Sequence, residues 1–347
     1  MDSLTQIILG AAVGEATLGK KIGNKALLWG AIGGTIPDLD VFVGKLFDTV
    51  TELDIHRGFS HSIIFSLLMA PILGYLVNKL YQKSEEATWR GWTLLFFWAL
   101  FTHPLLDSFT TWGTQIFWPM DYRVAFHSIF VIDPLYTVPF LISTIAVLFY
   151  KRDSQIRRRW NRFGIFYSTA YLGVTLLIKT HVNEVVVDSL RRQDIAFESF
   201  QTRPTPFNTI LWAANVELED DFLMSYFSLL DTKPELVFKR IPKDRILQDD
   251  VAQEYGFQRL QFLTKGYYTL EQRSDTLVMN DLRFGELSGW ESIPNDGLSV
   301  KEEEHNFVFS YYLTRNEDGS LQVDRKPNDV SKAKEAMSGL WKRLKGE

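Results

Sequence analysis

The nine residues DIHRGFSHS (54–62) gather Asp54, His56, Arg57 and His61 in a chain that has six histidines in all. A third histidine, His103, stands one helical turn before Asp107 in HPLLD, and Asp38 and Asp40 flank a single residue in PDLD. The chain has no cysteine, which excludes disulfides, thiolate ligands and a cysteine nucleophile. A metal ion would therefore be held by His, Asp, Glu or backbone oxygen. Imidazole nitrogen combined with carboxylate oxygen is a donor set that zinc and similar ions accept. Such an ion lowers the pKa of a water it binds and provides a nucleophile at neutral pH. Arg57 adds a guanidinium, whose planar fork suits a phosphate or carboxylate group.

Local geometry follows from the spacing. His103 and Asp107 share one helix face, and Pro104 between them removes a backbone hydrogen bond. A loop can aim both Asp38 and Asp40 at a metal pair, and on a strand they would share a face. Gly58 permits a sharp turn and Ser60 is a candidate N-cap. His61 then opens a helix, with His56 folded back beside it and Arg57 facing the opening. Each residue also has a plainer reading. His61 alone fits a capping or interfacial role, Asp38 and Asp40 fit turn positions, and Arg57 fits a membrane anchor or a partner of Asp54. His103 with Asp107 fits a structural hydrogen bond, although an ionisable pair in an apolar helix is costly without a partner or an ion. His127 and Asp133 are weaker candidates, His181 and His305 lack clustered partners, and Glu15 is an intramembrane carboxylate with no evident role.

The elements that would position these residues are membrane helices. Crossing a bilayer takes about 20 apolar residues. Phe59–Tyr81, Gly91–Thr110, Ile129–Tyr150 and, less cleanly, Phe163–Thr180 meet that length. Leu4–Leu18 and Ala26–Pro37 are shorter and glycine-rich, which predicts a tight helical hairpin or a re-entrant pair with closely approaching backbones. The alternative for all these runs is a large buried soluble core. Residues 20–25, 79–91 and 151–162 carry twelve Lys and Arg, against three in 37–58 and 111–128. The positive-inside rule puts the first set in the cytoplasm and the candidate metal residues and the tail outside. If the first pair is re-entrant, the count is still nine against three. Asp2 and Glu15 argue against a cleaved secretory signal, so the amino-terminal stretch reads as part of the mature protein.

Residues 1–185 carry 16 Lys and Arg against 14 Asp and Glu, and residues 186–347 carry 21 against 28. Neither half has the basic excess of a nucleic-acid binder, so no nucleic-acid partner is expected. ELVFKRI, TLVMNDLRFG, NFVFSYYLTR and SLQVDR read as strands. NDVSKAKEAMSGLWKRLKGE reads as a closing helix, with Asp329 or Ser331 as its cap. QTRPTPFNTILW (201–212) predicts a proline-punctuated junction between the two parts. The expected architecture is mainly α: a polytopic helical transmembrane domain over 1–185, then an extracytoplasmic soluble α+β domain over 186–347.

MDSLTQ…LGAAVGE, GTIPDLD, HRGFSHS and THPLLDSFTTWGT, in that order, resemble the YdjM-type family of membrane-bound metal-dependent hydrolases. VIDPLYT extends the likeness to residue 137, and RPTPFNTILW resembles the longer members. The resemblance implies a relation to the helical fold of zinc-dependent phospholipase C and single-strand nucleases, which hydrolyse phosphodiesters at a His and Asp metal cluster. Carried over by motif, it implies Asp38, His56, His61, His103 and Asp107 as metal ligands, with zinc the expected ion. Asp40 and Arg57 come next, and Asp40, Arg57 and Asp107 are the expected catalytic groups. One departure stands out. Related sequences often carry a Thr-His pair near the chain start, which in the phospholipase-like fold contributes to the metal cluster, and here Gln6 follows Thr5. The expected function is hydrolysis of a phosphoester or phospholipid-like substrate at the external face of the cell membrane, in contact with lipid. A non-catalytic metal- or anion-binding sensor is the alternative. An ion pathway ranks last, because the cytoplasmic halves of the long helices carry few polar residues.

Overall fold

The computed structural model describes residues 1–81, 87–232, 235–287, 289–291, 306–327 and 333–346. The chain divides into two compact units. One comprises Met1–Phe47, Glu52–Leu177 and Pro206–Asn208, and the other Asp48–Thr51, Ile178–Thr205 and Thr209–Glu347.

The first unit is helical. It begins with α1 (Ser3–Ile22) and α2 (Asn24–Thr35), followed by a 3-10 turn over Ile36–Leu39 and the short α3 (Asp40–Gly44). Asp2 caps α1 by accepting from the Thr5 backbone N–H. Gly10 and Gly14 on α1 face Ala26, Gly30 and Gly34 on α2, in the small-residue spacing that lets helix backbones touch. A Cβ at Gly30 would lie 2.2 Å from the Gly10 carbonyl oxygen, so the contact requires glycine. The expected close approach of the first two apolar stretches is therefore present. The second stretch, however, extends through the 3-10 turn and α3 into a 21-residue candidate membrane span, Asn24–Gly44.

After α4 (Thr49–Ile55) come α5 (Ile63–Leu80) and α6 (Trp89–Asp107). Trp92, Leu95, Phe96 and Leu100 of α6 are fully buried. Among the described residues three helices are long and apolar enough to cross a membrane: Asn24–Gly44, Ile63–Leu80 and Gln155–Arg192. The expected 91–110 and 129–150 spans are not among these three; α6 has nine of its 19 residues buried, and the 129–150 stretch forms a shorter apolar helix, Pro134–Leu148. α7 (Pro134–Leu148) starts at the proline rather than at Ile129, because Asp133 caps it through the Leu135 and Tyr136 N–H groups. α8 (Gln155–Arg192) is 38 residues long and passes without a break through position 185, so the expected 163–180 span is its middle. Glu15 has a partner after all. Arg157, at the start of α8, donates to both its carboxylate oxygens at 2.7 and 2.6 Å, with both residues buried.

The second unit carries two four-stranded antiparallel sheets. The first holds β1 (Ser199–Pro204), β2 (Leu211–Glu217), β3 (Asp221–Ser228) and β4 (Lys239–Pro242). After α9 (Tyr255–Thr264), the second holds β5 (Tyr268–Arg273), β6 (Thr276–Glu286), β7 (Phe307–Arg315) and β8 (Leu321–Arg325), and α10 (Ala333–Leu344) follows. One face of the first sheet, with Trp212, Val216, Leu223 and Phe227, packs on Val182, Val186 and Leu190 of α8. The opposite face meets β6, where Asn215 donates to the Leu282 carbonyl at 2.6 Å. TLVMNDLRFG, NFVFSYYLTR and SLQVDR are strands as expected, whereas ELVFKRI pairs only from Lys239 onward. QTRPTPFNTILW holds the end of β1 and the start of β2, which pair antiparallel. Its Pro206–Asn208 segment belongs to the first unit while both flanks belong to the second, so the expected junction also falls where the chain passes between units. The closing helix is present, but its expected caps Asp329 and Ser331 lie outside the described residues.

Candidate metal centre

The 3-10 turn after α2 separates the two aspartates of PDLD. At three residues per turn, positions two apart point in different directions. Asp38 Oδ1 lies 3.5 Å from His61 Nε2 and 3.3 Å from His103 Nε2. Asp40, buried, turns toward the HRGFSHS loop instead. Its Oδ2 accepts from the Arg57 backbone N–H and the Ser60 hydroxyl, both at 2.9 Å, and lies 3.2 Å from His61 Nδ1. Its Oδ1 lies 3.2 Å from His56 Nδ1. Burial holds His56 below the ordinary imidazole value, against the opposing pull of Asp40.

His61 occupies a 3-10 turn, Phe59–His61, and not the first turn of a helix. The cap of α5 is Ser62, which accepts from the Phe65 N–H at 3.0 Å, while the expected cap Ser60 serves Asp40. His103 projects from α6 and is fully buried, as is His61. Its Nδ1 sits 2.5 Å from the Gly34 carbonyl oxygen. A carbonyl can only accept, so His103 Nδ1 carries the proton. Ser60 donates its hydroxyl hydrogen to Asp40 and therefore accepts from His61 Nδ1, 2.9 Å away. Both Nδ1 atoms are thus donors, and in the neutral rings both Nε2 atoms present lone pairs.

Those two Nε2 atoms face each other at 3.2 Å. Asp107 Oδ2 lies 3.6 Å from His61 Nε2 and 3.8 Å from His103 Nε2. One ligand atom from each of Asp38, His61, His103 and Asp107 falls within 4.8 Å of every other, so this group could hold a metal ion. Metal–ligand distances of about 2.0–2.1 Å in a tetrahedron imply ligand separations of about 3.3–3.4 Å. Five of the six separations, at 3.2–3.8 Å, bracket that value, and the sixth, between Asp38 and Asp107, is within 4.8 Å. Four electron-rich atoms brought this close in a buried site repel one another unless a proton or a metal ion lies among them. The residues fit a divalent ion.

The surroundings hold Asp107 in place. The Met1 backbone nitrogen and the Gln6 side-chain amide, at 2.7 Å, both donate to its Oδ1. Its Oδ2 has no hydrogen-bond donor aligned on it among the described residues and lies 3.1 Å from Arg57 Nε. Arg57 has a backbone φ of 59° and is buried, contrary to the expectation that it faces the opening. Its Nη1 donates to Thr110 Oγ1 at 2.7 Å. The expected link to Asp54 belongs to Arg123, which donates to the carbonyls of Asp54 and His56, both at 2.9 Å. His56 does not join the four: it stays on the far side of Asp40, its ring 6.2 Å from that of His61 and 5.9 Å from that of Trp112. Gly34 and Thr110 escaped the sequence reading, and Ser60 and Arg123 entered it only as a helix cap and a loop charge. A backbone carbonyl, two hydroxyls and a loop arginine carry no spacing signal.

The family model for the YdjM inner membrane protein matches residues 1–182, which cover the whole of this centre. The chain belongs to that family. The chain is 30% identical over 155 residues to the uncharacterized protein YfhP of Bacillus subtilis, a stretch that covers 42% of this chain and 46% of YfhP. It is also 30% identical over 115 residues to the inner membrane protein YbcI of Escherichia coli, covering 33% of this chain and 64% of YbcI. The chain thus spans less than two thirds of the length of either relative. No solved structure matches.

Proposed function

We propose that this chain is a membrane-bound metal-dependent hydrolase acting on phosphoesters of the phospholipid type, with its metal centre and second unit on the external face of the cell membrane. The observation that carries the reading is the pair of buried Nε2 atoms, 3.2 Å apart, with both Nδ1 protons committed elsewhere. Asp38, His61, His103 and Asp107 hold the ion, for which zinc is the first choice given nitrogen and carboxylate donors. A divalent ion bound there supplies Lewis acidity toward a phosphoryl oxygen and lowers the pKa of a water. Asp40 and the Gly34 carbonyl keep the two imidazoles turned so that their Nε2 atoms converge. Arg57, fixed by Thr110 and beside Asp107, places a permanent positive charge next to the centre, where charge on a phosphoryl oxygen would grow. Bilayer association through the candidate membrane helices brings a lipid phosphoester to the site without diffusion through water.

Elemental analysis of detergent-purified protein tests the reading. Wild type is expected to hold stoichiometric metal, His61→Ala and His103→Ala to hold none, and only loaded wild type to hydrolyse a phosphodiester or phospholipid. Metal retained in both variants, or absent from wild type after reconstitution, would sink it. A second reading, a metal-dependent sensor without turnover, is favoured by one contact: the Gln6 amide donates to Asp107 where family relatives often place a histidine. Full metal loading with no hydrolysis across phosphomonoesters, phosphodiesters and phospholipids would select it.

A further inference from the structure

The second unit buries a cation that, among the described residues, lacks a hydrogen-bond partner for one of its nitrogens. In the register of the first sheet, Arg203 of β1 pairs with Ala213 of β2, and Ala213 pairs with Tyr226 of β3. Cross-strand partners share a face, so Arg203 and Tyr226 stand on the same side of the sheet. Arg203 is 7% exposed and Tyr226 is 4% exposed. Among the described residues, neither Nη1 of Arg203 nor the Tyr226 hydroxyl has a hydrogen-bond partner.

Among the described residues, Asp281 and Glu286 act electrostatically on Arg203 and Tyr226, and both carboxylates already have a cation of their own. Asp281 is held by Arg283 at 2.7 Å, and Glu286 by Lys239 at 3.0 Å. Burial pushes the Arg203 guanidinium below its ordinary value, as expected of a charge removed from water. Leaving a buried guanidinium N–H and a buried hydroxyl without hydrogen bonds is costly, and yet the surrounding backbone makes room for both. The position of a Cβ at Gly285 lies 2.2 Å from Arg203 Nη2, and that at Gly289 lies 2.3 Å from the Tyr226 hydroxyl oxygen. Any side chain at either glycine would displace these donors. Gly285 also has a φ of 72°, which favours glycine on its own account.

We propose that Arg203 and Tyr226 form a binding site for a small phosphate-type oxyanion inside the second unit. The guanidinium supplies charge and N–H donors, and the phenol supplies one O–H donor. A tetrahedral oxyanion offers acceptor oxygens in several directions, as donors arriving from two different strands require. The site is separate in sequence and in unit from the four metal-centre residues, and it does not depend on the hydrolase reading.

The test uses the full chain in detergent, in chloride buffer of matched ionic strength. The thermal unfolding midpoint is followed while inorganic phosphate, or in a second arm glycerol phosphate, is added. Wild type is expected to show a saturable rise. In Arg203→Met the apparent Kd should rise roughly tenfold or more, the loss of a charged hydrogen bond, and in Tyr226→Phe about threefold. A response to inorganic phosphate makes the free ion the ligand, and a response to glycerol phosphate alone makes it a headgroup. No saturable rise in wild type with either probe, or wild-type affinity in Tyr226→Phe together with Arg203→Met, would overturn the site. If Arg203→Met does not fold, Tyr226→Phe decides alone.

Discussion

Replacing Asp40 should weaken the metal centre while leaving all four ligand side chains in the chain. Asp40 collects the Arg57 N–H, the Ser60 hydroxyl, His61 Nδ1 and His56 Nδ1 within 2.9–3.2 Å. Its carboxylate thereby fixes the ring of His61 and makes the opposite nitrogen more basic. Loss of such an outer partner typically costs about 10–100-fold in metal affinity. Asp40→Ala also strands the buried Arg57 N–H, which adds about 1–3 kcal/mol of destabilisation. Asp40→Asn separates the two effects. Its amide oxygen can take the Oδ2 position and serve Arg57, Ser60 and His61, while its NH2 meets Nδ1 of a His56 that has switched tautomer. Asn should therefore keep nearly wild-type stability and lose roughly tenfold in affinity, since only the charge is gone. Calorimetric zinc titration of apo protein, with a parallel unfolding curve, measures both quantities. Asp40→Ala that folds and binds zinc as tightly as wild type would refute the orienting role, and with it the tautomer assignment for His61.

Three further outcomes follow from the same contacts. Glu15→Gln leaves the buried Arg157 without its counter-charge and should cost about 3 kcal/mol, seen as a lower unfolding midpoint in detergent; an unchanged midpoint would show that Asn24 and the Val147 and Tyr150 carbonyls suffice for Arg157. Gly30→Ala pushes its Cβ into the Gly10 carbonyl and should cost about 1–3 kcal/mol as overpacking. It should also lower metal affinity, because the same helix pair carries Gly34, the acceptor for His103; equal affinity in a destabilised variant would uncouple the two. Gln6→His puts an imidazole where the amide now donates to Asp107. Elemental analysis should then show tighter retention of metal through dialysis or a second equivalent, and unchanged retention and content would remove position 6 from the centre.

PDLD, HRGFSHS and HPLLD were legible as candidate ligand motifs because histidine and aspartate are expensive beside apolar runs. Their division of labour was not. Whether Asp38 and Asp40 act together depends on whether PDLD is loop, strand or 3-10 turn, and only the turn sends one aspartate to the Nε2 atoms and the other behind His61. Arg123 and Arg157 entered the sequence reading as loop charges that report orientation, yet both are buried and each ties a segment down. A charge count cannot distinguish a solvated arginine from one that has found carbonyls or a carboxylate. Strands β2 and β3 escaped notice because they are covered on both faces, with almost every residue buried, and so lack the alternation of a half-exposed strand. The least legible feature has the widest reach. Gly30 and Gly34 look like flexible positions in a short apolar run, but their missing side chains let α2 close on α1. That contact carries the Gly34 carbonyl to His103, and Gln6 on the facing helix reaches Asp107. The centre is thus set by helix packing as much as by its ligands, so a substitution that never touches the four residues can still dismantle it.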